Sequence, residues 1–256
     1  MRFDQLLRIP IWREGRAALD GMELLRSAPA LDSEPPRSNG LPVLLIPGYM
    51  AGDGSLALLA SRLRAAGHAP QHAAIAVNVN CATRTTERLL ERLKTITDAH
   101  GRRAMVIGHS LGGVLGRLLV SRRPDLVRDL VCLGSPLLSL AAVHPLVWAH
   151  VRLVGALGGL GVPGLLSHSC LSGSCCAQSR RLVQAPFPRG VGFASIYTRT
   201  DGIVHWRACL DPDAEHIEVE SSHVGMGMNA AVHRVVAQRL SRHGQDAGRY
   251  LHRAAA

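Results

Sequence analysis

The chain has 256 residues, which is enough for one α/β domain with a sizeable core. Hydrophobic residues make up 47% of it and 26 residues are glycine, a composition that fits a globular protein and excludes a disordered one. The formal net charge is +10, yet the basic residues are nearly all arginine, form no dense block and have few aromatic residues between them, so no nucleic-acid partner is expected.

Residues 41–243 alternate between apolar strand patterns and helical patterns. Strands are predicted at residues 43–46, 73–79, 104–107, 129–134, 193–197 and 215–219. Helices are predicted at residues 56–66, 83–100, 113–122 and 229–242. The first strand is a continuous apolar run, as expected of a strand that is buried on both faces. This alternation predicts an α/β fold with a mostly parallel sheet and helices on both of its faces.

Three segments lie outside this alternation. Residues 1–40 carry a mixed helical pattern followed by a linker, and residues 244–256 are predicted to be a flexible tail. Residues 137–189 are apolar and rich in glycine, which favours a cap inserted over the sheet, although the same residues could instead complete the core. Because neither a secretory signal nor a membrane span is evident, a cytoplasmic protein is expected, with peripheral membrane contact left open.

Residues 108–112 read Gly-His-Ser-Leu-Gly and stand between a predicted strand and a predicted helix. This G-x-S-x-G pattern is typical of a nucleophile elbow, a sharp turn that holds the serine hydroxyl clear of the end of the sheet. Only small residues fit on either side of such a turn. Ser110 is therefore the predicted nucleophile, and it needs a base to take its proton and an acid to orient that base.

Two polar residues follow later strands in the order that an elbow serine requires, which is acid and then histidine. Asp201 comes after the strand at 193–197, and His223 comes after the strand at 215–219. Because parallel strands end at the same edge of a sheet, both residues are predicted to lie beside Ser110. Competing acids and histidines lack this placement. They are Asp125, Asp129, Asp211, Asp213, His109, His205, His216 and His233.

A serine nucleophile also requires two hydrogen-bond donors for the oxyanion that forms during acyl transfer. The backbone N–H of Leu111, directly after the nucleophile, is predicted to be one of them. The other is predicted in the loop after the first core strand, where Gly48 permits a tight backbone. The N–H of Tyr49 is the first candidate there, and the N–H of Met50 is the second.

The cysteines leave a disulfide open. Cys170, Cys175 and Cys176 cluster near His168, but the spacing lacks two C-x-x-C pairs, so no metal site is expected. A disulfide from Cys175 or Cys176 to Cys209 is a stronger alternative, despite the cytoplasmic expectation.

Four motifs resemble those of the α/β-hydrolase superfamily, especially its small serine lipases and esterases. They are Pro-Gly-Tyr at 47–49, Gly-His-Ser-Leu-Gly-Gly at 108–113, Thr-Asp-Gly at 200–202 and Ser-His at 222–223. The resemblance covers about residues 41–242 and implies an eight-stranded sheet or a trimmed version of it, acyl-enzyme chemistry, and no metal or organic cofactor. The chain departs from the family at Pro47, which replaces a histidine often found before the oxyanion-loop glycine, and in residues 1–40, which match no family pattern.

Together these features predict a serine hydrolase that cleaves a carboxylic ester through Ser110, Asp201 and His223. The apolar insertion and the basic surface favour a hydrophobic or lipid ester as substrate, with transient contact to a lipid surface. A thioesterase or acyltransferase with the same three residues is the alternative. A hydrolase-like protein that only binds is a third and less favoured interpretation.

Overall fold

The computed structural model describes residues 9–22 and 40–241. Within these ranges lies one sheet of six strands in the order β2-β1-β3-β4-β5-β6, and every neighbouring pair is parallel. The strands are β1 (Pro42–Ile46), β2 (Ala69–His72), β3 (Ala104–His109), β4 (Val127–Leu133), β5 (Gly192–Tyr197) and β6 (Glu215–Glu218). The predicted fold class is confirmed, and the sheet corresponds to the trimmed version that the resemblance implied.

Helices α1 (Ala57–Ala65) and α7 (residues 230–241) pack on one face of the sheet, and α2 (Ala82–His100) and α3 (Leu111–Arg122) pack on the other. Helices α4 (Pro145–Gly159), α5 (His168–Ser172) and α6 (Ser174–Gln184) lie in the insertion. Short 3₁₀ turns occupy Ile11–Arg16, Asp53–Leu56, Trp206–Cys209 and Val224–Met228.

Strand β1 shows why its sequence is apolar at every position. Leu44 and Ile46 belong to the core formed with α2 and α3 on one face of the sheet. Val43 and Leu45 belong to a second core, formed with α1 and α7 on the opposite face. Alternate side chains of the strand therefore fill two separate cores, and neither set of positions faces water.

The prediction of a strand at residues 73–79 is wrong. The second strand is β2 instead, at the edge of the sheet, where a proline such as Pro70 is tolerated. Residues 73–79 form an irregular loop, and the carboxylate of Asp53 accepts two of its backbone N–H groups. A short apolar run with such local hydrogen bonds has the same pattern as a short strand, so periodicity could not separate the two.

The other predicted strands and helices are present, with ends displaced by a few residues. The insertion at residues 137–189 contains α4, α5 and α6 and no strand of the sheet. Of the N-terminal extension, the 3₁₀ turn Ile11–Arg16 leads directly into a helix over residues 17–22. The predicted tail at 244–256 lies outside the described residues. In the part of the chain that is described, no helix is both long and apolar enough to cross a membrane.

The cysteines do not form the disulfide that the sequence left open. Cys176 and Cys209 are free thiols, and Cys209 is buried, so neither pairing to Cys209 is present. Across residues 9–22 and 40–241, no group of three or more His, Cys, Asp or Glu side chains could hold a metal ion.

Candidate active site

Ser110 occupies the turn between β3 and α3, with φ of 52° and ψ of −119°. A positive φ is strained for a serine, so the surrounding structure must hold it. A Cβ added at Gly108 would lie 2.3 Å from the carbonyl carbon of Gly112, and one added at Gly112 would lie 2.1 Å from the carbonyl oxygen of Ile46. Glycine is therefore required on both sides of the turn. Ser110 stands at the N-terminus of α3, as the serine of a nucleophile elbow does.

Asp201 and His223 meet at the carboxyl end of the sheet. Nδ1 of His223 lies 2.7 Å from Oδ2 of Asp201, and both residues are buried. Since an ionised carboxylate can only accept, Nδ1 carries a proton and Nε2 is left to accept one. Oδ1 of Asp201 accepts the backbone N–H groups of Ile203 at 2.8 Å and Val204 at 2.6 Å, which fixes the orientation of the carboxylate.

Ser110 and His223 line the same cavity. Among the residues that the structure describes, no hydrogen bond joins the Ser110 hydroxyl to the imidazole of His223. Such a contact is often long before substrate binds and tightens only in the complex. The structure thus brings a hydroxyl, an imidazole and a carboxylate together, although no hydrogen bond joins the serine to the histidine.

The competing acids have partners elsewhere. The pairs are Asp125 with Arg123, Asp129 with Arg239, Asp211 with Arg117, and Asp213 with the backbone N–H of Phe187. His216 and His233 each contact a backbone carbonyl away from Asp201. Of the weighed acids, Asp201 is therefore the one that contacts a histidine lining the cavity beside Ser110.

The side chain of His109 also belongs to this site, although nothing in the sequence motif indicates it. Its Nε2 donates to the backbone carbonyl of His223 at 2.9 Å, and the two rings lie 4.9 Å apart. Burial, together with the charge of His223, lowers the pKa of His109 to about 4. His109 is consequently neutral near pH 7 and supports the His223 loop without adding positive charge beside it. The motif places no constraint on this residue, so nothing in it indicates a contact with a loop more than a hundred positions away.

The electrostatics around His223 favour its protonated form. Burial lowers the pKa of His223, but the charge of Asp201 and its hydrogen bond more than offset this effect, and the charge of Glu14 adds to them. The pKa of His223 is therefore raised above the ordinary value for histidine. Gly134 leaves room for the pair, because a Cβ there would lie 3.0 Å from Nδ1 of His223.

The two candidate N–H groups in the loop after β1, those of Tyr49 and Met50, differ in their hydrogen bonding. The N–H of Met50 already donates to the carbonyl of Asn78 at 3.2 Å. No acceptor within the described ranges engages the N–H of Tyr49 or that of Leu111, the two donors that the sequence predicted. The loop also lies against the elbow, since a Cβ added at Gly48 would be 3.2 Å from Cβ of Ser110.

Asn78 holds the loop after β1 in place. Its side-chain Nδ2 donates to the carbonyl of Pro47 at 2.8 Å, and its backbone N–H donates to the carbonyl of Ala51 at 2.9 Å. Its own carbonyl accepts from Met50, so both ends of the loop are tied to one buried residue. The sequence does not indicate this role of Asn78, because the residue lies within the strand wrongly predicted at 73–79.

A cavity of about 1050 Å³ lies between Ser110 and the insertion. It stands at the upper end of the range of about 300–1,000 Å³ usual for small-molecule sites. The insertion supplies much of its apolar wall, including Leu138, Leu140, Leu146, Val147, Val151 and Val183. The insertion therefore contributes apolar side chains to the cavity that Ser110 lines, and others of its residues, such as Leu137 and Val183, join the main core.

Known proteins share this architecture. The family model described as the alpha/beta hydrolase fold matches residues 42–153. The chain is similar to a lipase of Bacillus licheniformis in its mature form, with a TM-score of 0.59 and 14% identity over 81% of this chain and 94% of that chain. It is also similar to a monoacylglycerol lipase of Paleococcus ferrophilus, with a TM-score of 0.55 and 17% identity over 82% and 96% of the two chains.

A third similar structure is an alpha/beta superfamily hydrolase from Oenococcus oeni, with a TM-score of 0.52 and 15% identity over 80% of this chain and 93% of that chain. No curated protein sequence matches this chain. At these identities the solved structures show the fold alone.

Proposed function

We propose that this chain, whose fold is that of the α/β hydrolases, is a serine hydrolase that cleaves hydrophobic carboxylic esters. One observation carries the proposal: Ser110 stands on a strained elbow and lines one cavity with His223, whose Nδ1 lies 2.7 Å from Asp201. A strained serine beside a buried histidine–carboxylate pair is the arrangement that acyl transfer needs. The lipases among the similar structures support the same class of reaction.

In the proposed reaction the Ser110 hydroxyl attacks the ester carbonyl carbon while Nε2 of His223 takes its proton. The N–H groups of Tyr49 and Leu111 hold the oxyanion that forms. When the tetrahedral intermediate collapses, the C–O bond to the alcohol breaks and His223 gives its proton to the departing alcohol. Water then attacks the acyl-serine by the same route and releases the acid, while Asp201 holds the histidine tautomer and stabilises its positive charge. No metal or organic cofactor takes part in this scheme.

The size and apolar lining of the cavity favour recognition of a medium or long acyl chain of the substrate. An alkyl chain gains free energy by leaving water for an apolar wall, at about 0.8 kcal/mol for each fully buried methylene. A cavity of about 1050 Å³ has room for many methylenes beyond an acetyl group. The substrate class that we propose is therefore a hydrophobic ester, with lipid esters as its natural example.

On p-nitrophenyl esters, kcat/KM should rise from acetyl towards octanoyl, by up to about fourfold for each methylene that becomes buried. Val147→Trp, which fills part of the cavity wall, should shift the preference to shorter esters. Leu153→Trp is the matched control, because Leu153 lies on the same helix but is 58% exposed. Turnover that is fastest on acetyl esters and declines steadily with chain length would contradict the proposed substrate class.

The alternative activity, that of a thioesterase or acyltransferase, uses the same three residues with a different leaving group or acceptor. Acyl-CoA of matched chain length, assayed beside the ester series, separates the two. A kcat/KM on acyl-CoA well above that on the matched ester would replace the ester proposal with the thioester one. Turnover of neither series would favour the binding protein.

Contact with a lipid surface is part of the same proposal, and helix α4 supports it. The helix and the residue after it expose four leucines, Leu146, Leu153, Leu157 and Leu160, at 65, 58, 41 and 83%. No Asp or Glu occurs between residues 130 and 200, so the insertion is apolar and basic. A surface of that kind complements the anionic headgroups and acyl chains of a bilayer.

The protein should co-sediment with phosphatidylglycerol vesicles and much less with phosphatidylcholine vesicles. The double variant Leu153→Glu/Leu160→Glu should lose this binding, because it removes apolar surface and adds negative charge to α4 and its end. Ser61→Glu/Ala65→Glu, which adds the same charge to exposed positions of α1, is the control and should bind more strongly than the α4 variant. Equal loss in both variants would show a general charge effect and would refute docking through α4.

A further inference from the structure

The N-terminal segment, defined here as residues 9–22, lies against the two loops that carry Asp201 and His223. Glu14 makes the central contacts. Its Oε1 accepts the backbone N–H of Gly202 at 2.8 Å and that of His223 at 3.1 Å. Its Oε2 accepts the backbone N–H of Val224 at 2.8 Å. One carboxylate thus joins the residue after the proposed acid to the proposed base itself.

Asp20 makes a second set of contacts on the histidine loop. It is 1% exposed, and its Oδ2 accepts from the hydroxyl of Ser221 at 3.1 Å and from the N–H and hydroxyl of Ser222 at 3.1 and 3.2 Å. Its Oδ1 accepts from Nδ2 of Asn229 at 3.0 Å. The two residues directly before His223 are therefore held by a buried carboxylate of the N-terminal segment.

The two loops are shaped to receive this segment. A Cβ added at Gly202 would lie 2.8 Å from Oε1 of Glu14, and one added at Gly225 would lie 2.0 Å from Oδ2 of Asp20. Each loop therefore has a glycine where a carboxylate of the segment approaches, so neither close contact leaves room for a side chain. Ile9 is also buried, at 4% exposure, which anchors the start of the segment.

We infer that residues 9–22 form a clamp that fixes the loop carrying Asp201 and the loop carrying His223 relative to each other. Glu14 is then a positioning residue for both side chains. The inference rests on the proposed function, since it concerns the residues that the function uses. Glu14 contacts backbone groups of both loops, so its removal frees the loops to shift relative to each other. A displacement of about 1 Å in such a constellation can cost on the order of 100-fold in rate.

Glu14→Ala should lower kcat on the best ester by about 10- to 100-fold and leave KM within about twofold, because the cavity wall is unchanged. Glu14→Gln, which keeps one acceptor oxygen, should lose less. Glu87→Gln and Glu87→Ala, at an exposed position of α2, are the matched controls and should behave as wild type. Thermal unfolding curves recorded by circular dichroism give the fraction of each variant that is folded at the assay temperature.

The pH profile distinguishes positioning from mere stability. The groups that face His223 are Asp201, Glu14 and His109, and the negative charge of Glu14 raises the pKa of His223. Since the base must be neutral to accept a proton, the acid limb of wild-type kcat/KM should lie above the ordinary histidine pKa. Glu14→Gln should move that limb to lower pH. A purely structural role would instead reduce the rate in proportion to the folded fraction and leave the limb in place, which would refute the clamp.

Titration of the His223 imidazole by NMR tests the clamp without relying on turnover. In wild type and Glu14→Gln, each compared with its His223→Gln variant to assign the signal, the pKa of His223 should be lower without the Glu14 charge. An unchanged pKa together with an unchanged kcat would overturn the inference. Absence of wild-type turnover on every ester and thioester would overturn the proposed function alone, because the NMR comparison still decides whether Glu14 acts on His223.

Discussion

Replacing Ser110 with alanine should lower kcat on p-nitrophenyl octanoate by about 10⁶-fold, because it removes the atom that would form the acyl-enzyme. The backbone donors at Tyr49 and Leu111 would remain, so the residual rate should still exceed the uncatalysed one. The variant should also fail to react with a fluorophosphonate probe, which labels activated serines. Steady-state hydrolysis and in-gel fluorescence measure the two effects separately.

Ser139→Ala is the matched control, since Ser139 lines the same cavity but does not stand on the elbow. It should retain labelling and most of the activity. Labelling of wild type and of Ser110→Ala alike would place the nucleophile at another serine. Labelling of neither protein would show that no serine of the chain is activated, and the proposed mechanism would fail.

Asp201→Asn should lower kcat by about 10⁴-fold with little change in KM. The asparagine amide can present its NH₂ group to Nδ1 of His223, which would move the imidazole proton to Nε2 and leave no lone pair facing the serine. The backbone N–H groups of Ile203 and Val204 would still have the amide oxygen as acceptor, so the loop should keep its shape. The fall in kcat is measured in the same p-nitrophenyl ester assay, at a pH on the plateau of the wild-type profile.

Asp213→Asn serves as the comparison for this variant. Asp213 was a competing candidate in the sequence, and its carboxylate accepts the N–H of Phe187 away from His223. It should change kcat by less than about twofold, in line with the small effect expected of most surface substitutions. A nearly silent Asp201→Asn, or a large loss in Asp213→Asn, would mean that the acid had been assigned to the wrong residue.

Regular elements were predictable where a periodic pattern reported burial. The apolar run of β1 and the helical spacing of α2 predicted these two elements to within one or two residues. In each element the residues that contact the core recur at regular intervals, and those residues are apolar. The same logic failed at residues 73–79. Those residues are apolar, but they lie in a loop held by Asp53, and the edge strand beside β1 is the polar, proline-containing β2.

The insertion shows a different limit. Its apolar composition was equally consistent with a cap and with core packing, since both bury side chains. The structure places Leu146, Val147 and Val151 on the wall of the cavity that Ser110 lines. Which face of a helix meets a cavity depends on how the helix is set against the sheet, and that orientation is not encoded in local spacing.

By itself, the sequence determined the α/β fold, the elbow at residues 108–112 and the positions after β5 and β6 where Asp201 and His223 stand. These features are local, because a strained turn demands glycines at set offsets and a parallel sheet brings strand ends to one edge. Only the tertiary structure decided which isolated polar side chains support those loops. Glu14 reaches Gly202 and His223 across 188 and 209 positions of the chain, and Asn78 holds the loop after β1 from a segment without regular structure. Single hydrogen bonds between distant residues leave no period in a sequence, so only the folded chain reveals them.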